Sequence, residues 1–172
     1  SSVDSEVALF SGTGGKTLKR ATGSGVAVLT SGVLSTVTAP SGTIVGTSDS
    51  QTLTSKTLTN PTVNNYTEGV VSIGTVTTSS TLDLTNGTLQ TATLTASTAC
   101  TFTMPTATAG KSFVLLLKQA ASTGNGTATF TSVKWNNAGT PTVTATAGKM
   151  DIFSFFADGT NWYGTYTQGY TP

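Results

Sequence analysis

Three apolar residues recur at intervals of five in residues 52–66, which read TLTSK, TLTNP and TVNNY. This period is neither the roughly 3.6 residues of a helix nor the 2 of a simple strand. One apolar residue in five buries too little surface to offset the ordering entropy of a chain, roughly 1 to 2 kcal/mol per residue. We therefore expect this pentad segment (residues 52–66) to be ordered only against other copies of the chain, with Leu53, Leu58 and Val63 as the oligomerisation residues.

The composition predicts an all-β protein. Charged residues make up only 9% of the 172 residues, against about 25% in ordinary globular domains. Thr, which is β-branched and favours extended backbone, is the most frequent residue, and 19 Gly provide turns. No stretch has the spacing of an amphipathic helix. The single Cys100 excludes an intramolecular disulfide framework.

Two regions differ in how much core they can build. Residues 1–68 hold short apolar pieces, such as 7–10 and 26–29, between many glycines, and we expect an extended shaft and connector that ends in the pentad segment. Residues 69–172 contain all the aromatic residues except Phe10 and Tyr66. We expect this second region to form a compact C-terminal knob.

Short strands with alternating apolar residues fill the second region. They are expected at 70–76, 81–85, 89–95, 100–104, 111–119, 127–131, 133–135, 150–156 and 162–166. The stretch 111–119 is the most continuously apolar, which is typical of a central strand. The dipeptide at 86–87, Asn-Gly, predicts a hairpin, and residues 157–161 predict a second one. Nine short strands at this spacing predict an antiparallel β-sandwich of the jelly-roll type.

The sequence argues against catalysis. It contains no His, which removes the usual general base and most zinc sites. A glycosidase needs two carboxylates about 5 to 9.5 Å apart, and the acids are scattered along the chain. We expect no catalytic residue, no metal and no cofactor. The acids are Asp4, Glu6, Asp49, Glu68, Asp83, Asp151 and Asp158.

The charges also limit the partners. Eight basic and seven acidic residues are spread along the chain without a run, whereas nucleic acid and acidic membranes require clustered Lys and Arg. No apolar run approaches the roughly 20 residues of a membrane span. We expect neither nucleic acid binding nor membrane insertion.

Aromatic side chains are the best candidates for contacts with a receptor, because they provide rigid stacking surface for sugars or proteins. A core role competes with this interpretation, above all for the two tryptophans, which lie at strand ends. The candidates are Trp135, Trp162, Tyr163, Tyr166 and Tyr170.

The stretch 45–63, VGTSDSQTLTSKTLTNPTV, resembles the shaft motif of bacteriophage tail fibres, where a Gln-Thr-Leu-Thr-(Asn/Ser)-Lys-Thr-Leu core precedes a C-terminal β domain. Segments 110–119, 133–135, 139–142 and 158–163 are similar to the terminal knobs of such fibres. Together these motifs comprise about a quarter of the chain, in the expected order.

The resemblance implies a homotrimeric virion appendage in which three chains intertwine as a slender β shaft and display the knob. The knob would attach to a glycan or protein of the host surface, and the N-terminal part would contact other virion proteins. The protein would be made in the host cytoplasm, without a signal peptide, and lie on the virion surface.

Three alternatives stay open. The same knob could belong to a capsid decoration or head-fibre protein. A depolymerising tailspike would require clustered carboxylates. A single-chain pentapeptide-repeat solenoid has a similar period, but three repeats make less than one four-sided coil.

Overall fold

The computed structural model of this protein is all-β, with no helix among the residues it describes. The described residues are 8–11, 14, 17–20, 26–30, 33–37, 50, 52–136 and 138–172. Contacts divide the chain into two units, Ser1–Pro61 and Thr62–Pro172. This division falls within the pentad segment, a few residues before the boundary expected from the sequence.

The described part of the first unit includes two local hairpins. Strand β1 (Ala8–Ser11) pairs antiparallel with β2 (Thr17–Arg20), and β3 (Val26–Thr30) pairs antiparallel with β4 (Val33–Val37). The strands expected at 7–10 and 26–29 are therefore confirmed, each within one residue at either end. The intertwined shaft stays a prediction, and Asp4, Glu6 and Asp49 lie outside the described residues.

The second unit contains nine further strands. They are β5 (Val70–Val76), β6 (Ser79–Thr81), β7 (Leu89–Leu94), β8 (Ala99–Thr103), β9 (Ser112–Lys118), β10 (Thr127–Phe130), β11 (Val133–Lys134), β12 (Met150–Ala157) and β13 (Trp162–Tyr170).

The chain of the second unit alternates between two sheets. Strands β5, β7 and β9 lie side by side and parallel in a six-stranded sheet of order β11-β13-β12-β9-β7-β5. Strands β6, β8 and β10 lie parallel in a three-stranded sheet of order β10-β8-β6. Each pass of the chain thus adds one strand to each sheet, so the unit is a β-solenoid-like stack. The antiparallel hairpin of β12 and β13 extends the larger sheet beyond β9.

This topology corrects the prediction of an antiparallel sandwich. Eight of the nine strands start within one residue of their predicted positions, and β9 is central as predicted. The strand predicted at 81–85 is wrong in position, because β6 covers Ser79–Thr81, and most pairings of the second unit are parallel. The hairpin predicted at residues 86–87 is wrong, because the strands on either side of it, β6 and β7, belong to different sheets. Strand β6 ends at Thr81, and the next residue, Leu82, is buried in the core with 1% of its surface exposed. The hairpin predicted at 157–161 is confirmed.

One core fills the space between the two sheets. Strands β7, β9, β10 and β12 bury every second side chain, as alternating sequences do. Phe130 of the smaller sheet packs against Phe153 of the larger one, with ring centroids 4.9 Å apart. The core residues are Val76, Leu82, Ala92, Leu94, Cys100, Phe102, Met104, Phe113, Leu115, Leu117, Ala128, Phe130, Val143, Phe153, Phe155 and Trp162.

Candidate functional site

The pentad segment repeats in backbone conformation as well as in sequence. Ser55, Asn60 and Asn65 occupy the fourth position of the three pentads, and their φ angles are 53°, 48° and 52°. These values lie in the left-handed region, which most residues avoid and Asn tolerates best after Gly. The same turn therefore recurs two residues after each apolar residue of the segment.

The apolar residues of the pentad segment are exposed. Leu53, Leu58 and Val63 have 47%, 59% and 58% of their surface accessible, and Tyr66 has 70%. Every described residue from 52 to 70 is exposed, and residues 52–67 belong to no strand. A backbone that is regular yet has no partner within the described part of its own chain is typical of a segment that is ordered by association.

The second exposed feature is the face of the six-stranded sheet that points away from the core. Six apolar side chains of β7, β9 and β12 lie on this face and are half-buried, apart from Phe156, which is 54% exposed. Lys118 is the one charged residue that these three strands place there. We call this surface the outer sheet face. Its apolar residues are Leu89, Val114, Leu116, Met150, Ile152 and Phe156.

A cleft of about 350 Å³ lies at one end of the outer sheet face, where β5 begins. Phe156 and Val114 supply apolar walls, and Ser112 and Ser154 supply hydroxyl groups. Glu68 lies at the rim, where its Oε1 accepts hydrogen bonds from the backbone N–H and the hydroxyl group of Thr88. The carboxylate thereby joins the residues just before β5 to the corner before β7.

The structure separates the five aromatic candidates into core and surface residues. Trp162 is 1% exposed and its indole N–H donates a 2.7 Å hydrogen bond to the carbonyl oxygen of Pro105. Trp162 is thus a core residue and has no surface for a receptor, because the hairpin that follows residue 157 turns its ring inward onto Phe113.

Trp135 and Tyr166 are half-buried and pack together, with ring centroids 6.1 Å apart. Trp135 also lies flat on Gly164, where an added Cβ would come within 2.4 Å of the indole ring. The other two candidates, Tyr163 and Tyr170, are 46% and 42% exposed. The sequence interpretation overlooked Phe156, which pairs across the strands with Tyr163. The sequence could have indicated that Phe156 is exposed, because it occupies an outward-facing position at the end of the alternating run 150–156.

The hydroxyl group of Tyr163 is held by the turn between β12 and β13. It donates a 2.9 Å hydrogen bond to Oδ2 of Asp158, and this contact raises the pKa of Tyr163. The backbone N–H groups of Asn161 and Thr160 donate to Oδ1 of Asp158 and keep the pKa of that carboxyl group below its usual value. These contacts fix the turn, so Asp158 has a structural role.

Asp151 is the one acid of the core, with 2% of its surface exposed. Its two carboxylate oxygens accept hydrogen bonds from the backbone N–H and the hydroxyl group of Thr144, both at 2.7 Å, and from the N–H of Gly169 at 3.0 Å. The carboxylate therefore ties residues 142–144 and the end of β13 to β12. Its oxygens are occupied by the protein itself.

Within the described residues, no group of three or more His, Cys, Asp or Glu side chains could hold a metal ion. The described part of the chain also has no helix that is long and apolar enough to cross a membrane. Comparisons of the chain with protein-family models, with curated proteins and with solved structures gave no match.

Proposed function

We propose that this protein is a trimeric fibre or spike of a bacteriophage virion, in which three chains intertwine along the pentad segment and the β-solenoid-like unit faces the host cell. The observation that carries the proposal is the exposed pentad segment with its repeated backbone. An ordered stretch with 47% to 59% exposure at its apolar positions requires a partner of the same period, and a second and third copy of the chain supply one.

The number of chains rests on the resemblance of residues 45–63 to tail-fibre shafts. Light scattering after size-exclusion chromatography tests it directly. A molar mass three times that of one chain at micromolar concentration supports the proposal, and a single-chain mass under these conditions overturns it.

Attachment to the host is the role we propose for the second unit. It is supported by the exposed aromatic side chains Tyr163 and Tyr170. Purified protein should bind to cells of the host and reduce adsorption of the phage, and the variant Tyr163→Ala/Tyr170→Ala should compete less well than the wild-type protein. Unchanged competition by this variant would contradict a receptor role for the two tyrosines.

A capsid decoration protein is the alternative function, and the apolar outer sheet face favours it because such a surface suits contact with another protein. Electron microscopy of virions labelled with an antibody against this chain separates the two functions. Label at the tail supports a fibre, and label on the faces or vertices of the head supports a decoration or head-fibre protein.

A further inference from the structure

Six of the eleven side chains that β7, β9 and β12 place on the outer sheet face are apolar, and they cluster around Val114, Leu116 and Ile152. In a sheet with one face in water, apolar side chains on the core face usually alternate along each strand with polar side chains on the exposed face. Strands that are apolar on both faces occur where both faces are covered. Strand β9 buries Phe113, Leu115 and Leu117 in the core and places Val114 and Leu116 on the opposite side. The core covers only the first of these two sides.

The apolar residues also continue across neighbouring strands. In one row Leu89 of β7 pairs with Val114, and in the next row Leu116 pairs with Ile152 of β12. The row at the end of β9 places Phe156 beside Ser112. Ser154 lies beside Val114 and Thr91 lies beside Leu116, so the apolar side chains form a local cluster within a mixed face. A cluster of neighbouring apolar side chains is a candidate interaction surface.

The position of the pentad segment indicates which partner covers the patch. Tyr66, the last residue of the segment, precedes Val70 by four residues, a span of at most about 14 Å. Val70 begins β5 and pairs with Leu89 of the outer sheet face. Chains that associate at Val63 and Tyr66, which belong to the second unit, thus bring the starts of their β5 strands close together.

The distribution of charge agrees with this arrangement. Strand β9 runs parallel to β5, so its Val114 lies at the end of the sheet where the pentad segment joins, and Lys118 lies at the opposite end. The charged side chain can stay in water when the faces near the pentad segment meet.

The outer sheet face is too small in area to hold two copies together without the pentad segment. Three strands about 4.8 Å apart and about 20 Å long present roughly 300 Å², which is less than half of the roughly 800 Å² that each partner buries in a standard interface. The face alone does not support a stable complex. A tether such as the pentad segment raises the local concentration to about the millimolar range and makes the small contact sufficient.

We infer that the outer sheet faces of the copies pack against each other and form a second contact of the oligomer, beyond the pentad segment. The inference rests on the proposed association through the pentads. Its occupant is a second copy of this chain, and its central residues are Val114, Leu116, Ile152 and Phe156.

Thiol accessibility tests the inference in the full chain. The natural Cys100 is 1% exposed, so a cysteine introduced at Ser154, on the outer sheet face, is the reactive one. We expect Ser154→Cys to react with a bulky maleimide at least about tenfold more slowly in the oligomer than in a Leu58→Asp background, because reaction requires transient opening of the contact. The control Thr103→Cys, at an exposed position of β8, should react equally fast in the oligomer and in the Leu58→Asp background.

A second variant measures the contribution of the contact to assembly. Leu116→Lys places an ammonium group in the contact, and we expect the concentration for half-assembly to rise about tenfold or more. The matched control Thr103→Lys should leave this concentration unchanged. Circular dichroism and thermal melting of each monomer show that the second unit remains folded.

The outcomes separate this inference from the proposed function. An oligomer in which Ser154→Cys reacts as fast as in the monomer, and which Leu116→Lys does not weaken, overturns the inference and leaves the pentad association standing. A wild-type chain that is monomeric overturns both. Protection of Ser154→Cys that appears only when host cells or virion components are added assigns the face to another partner and overturns the inference as well.

Discussion

Leu58→Asp is the substitution that most sharply separates association through the pentads from a segment that is merely solvated. Leu58 is the central apolar residue of the pentad segment, and it is 59% exposed in the single chain. The neighbouring Lys56 is also exposed but lies off the apolar line of the repeat. Lys56→Asp therefore introduces the same carboxylate two residues away and is the matched control.

The expected magnitude follows from the exposed surface of Leu58. Full burial of a leucine side chain contributes roughly 1.5 to 3 kcal/mol. The exposed 59% can therefore contribute about 1 to 2 kcal/mol per chain, and three equivalent contacts give about 3 to 5 kcal/mol per trimer. An unpaired carboxylate in the same place adds a desolvation cost of at least a few kcal/mol.

The association constant of Leu58→Asp should therefore fall by more than about a thousandfold, since each 1.4 kcal/mol is a factor of about ten. Lys56→Asp changes an exposed charge, which is worth about 1 kcal/mol or less. Sedimentation velocity over a concentration series measures both constants. Equal losses of assembly in the two variants, or no loss in either, would refute the inward placement of Leu58.

Substitutions at four further positions test local features. Asn60→Ala should weaken assembly by about 1 kcal/mol per chain and Asn60→Gly should not, because Ala resists the left-handed backbone that Gly accepts; sedimentation reports this. Asp151→Asn should lower the urea unfolding free energy by about 2 to 3 kcal/mol, since an amide N–H₂ then faces backbone donors. Gly164→Ala should cost about 1 to 3 kcal/mol and change tryptophan fluorescence as the Cβ displaces the indole beneath it. Asp158→Asn should lower the pKa of Tyr163 in a tyrosinate titration. Because the hydrogen bond to Asp158 raises the pKa of Tyr163 in the folded protein, it stabilises the fold at pH values below the unfolded pKa of tyrosine, and this stabilisation is lost as the pH rises through the folded pKa.

Strand positions could be predicted from the sequence because they depend on local alternation. The pattern of 111–119 and of 150–156 specifies which side chains are buried, and β9 and β12 follow it. Pairing depends instead on contacts between residues far apart in the chain. An Asn-Gly dipeptide supports a hairpin when both neighbouring strands continue to it, but β6 ends at Thr81 and the chain crosses to the other sheet. Parallel pairing was therefore missed.

The candidate sites show the same division. The period of Leu53, Leu58 and Val63 was visible in the sequence, and the left-handed residues that repeat with it were not expected. Trp162 was named as a receptor candidate although its place at a strand end favoured a core role, because aromatic residues serve both. The hydrogen bond of its indole and its packing on Phe113 show that it is a core residue. The outer sheet face requires the topology, since its residues come from three strands that are not consecutive in the chain.

Sedimentation equilibrium of the full wild-type chain is the most direct test of the central claim that the pentad segment joins three copies. The account predicts a single species with three times the mass of one chain, which is reduced to the mass of one chain by Leu58→Asp. A wild-type chain that sediments as a monomer at micromolar concentration would contradict the account.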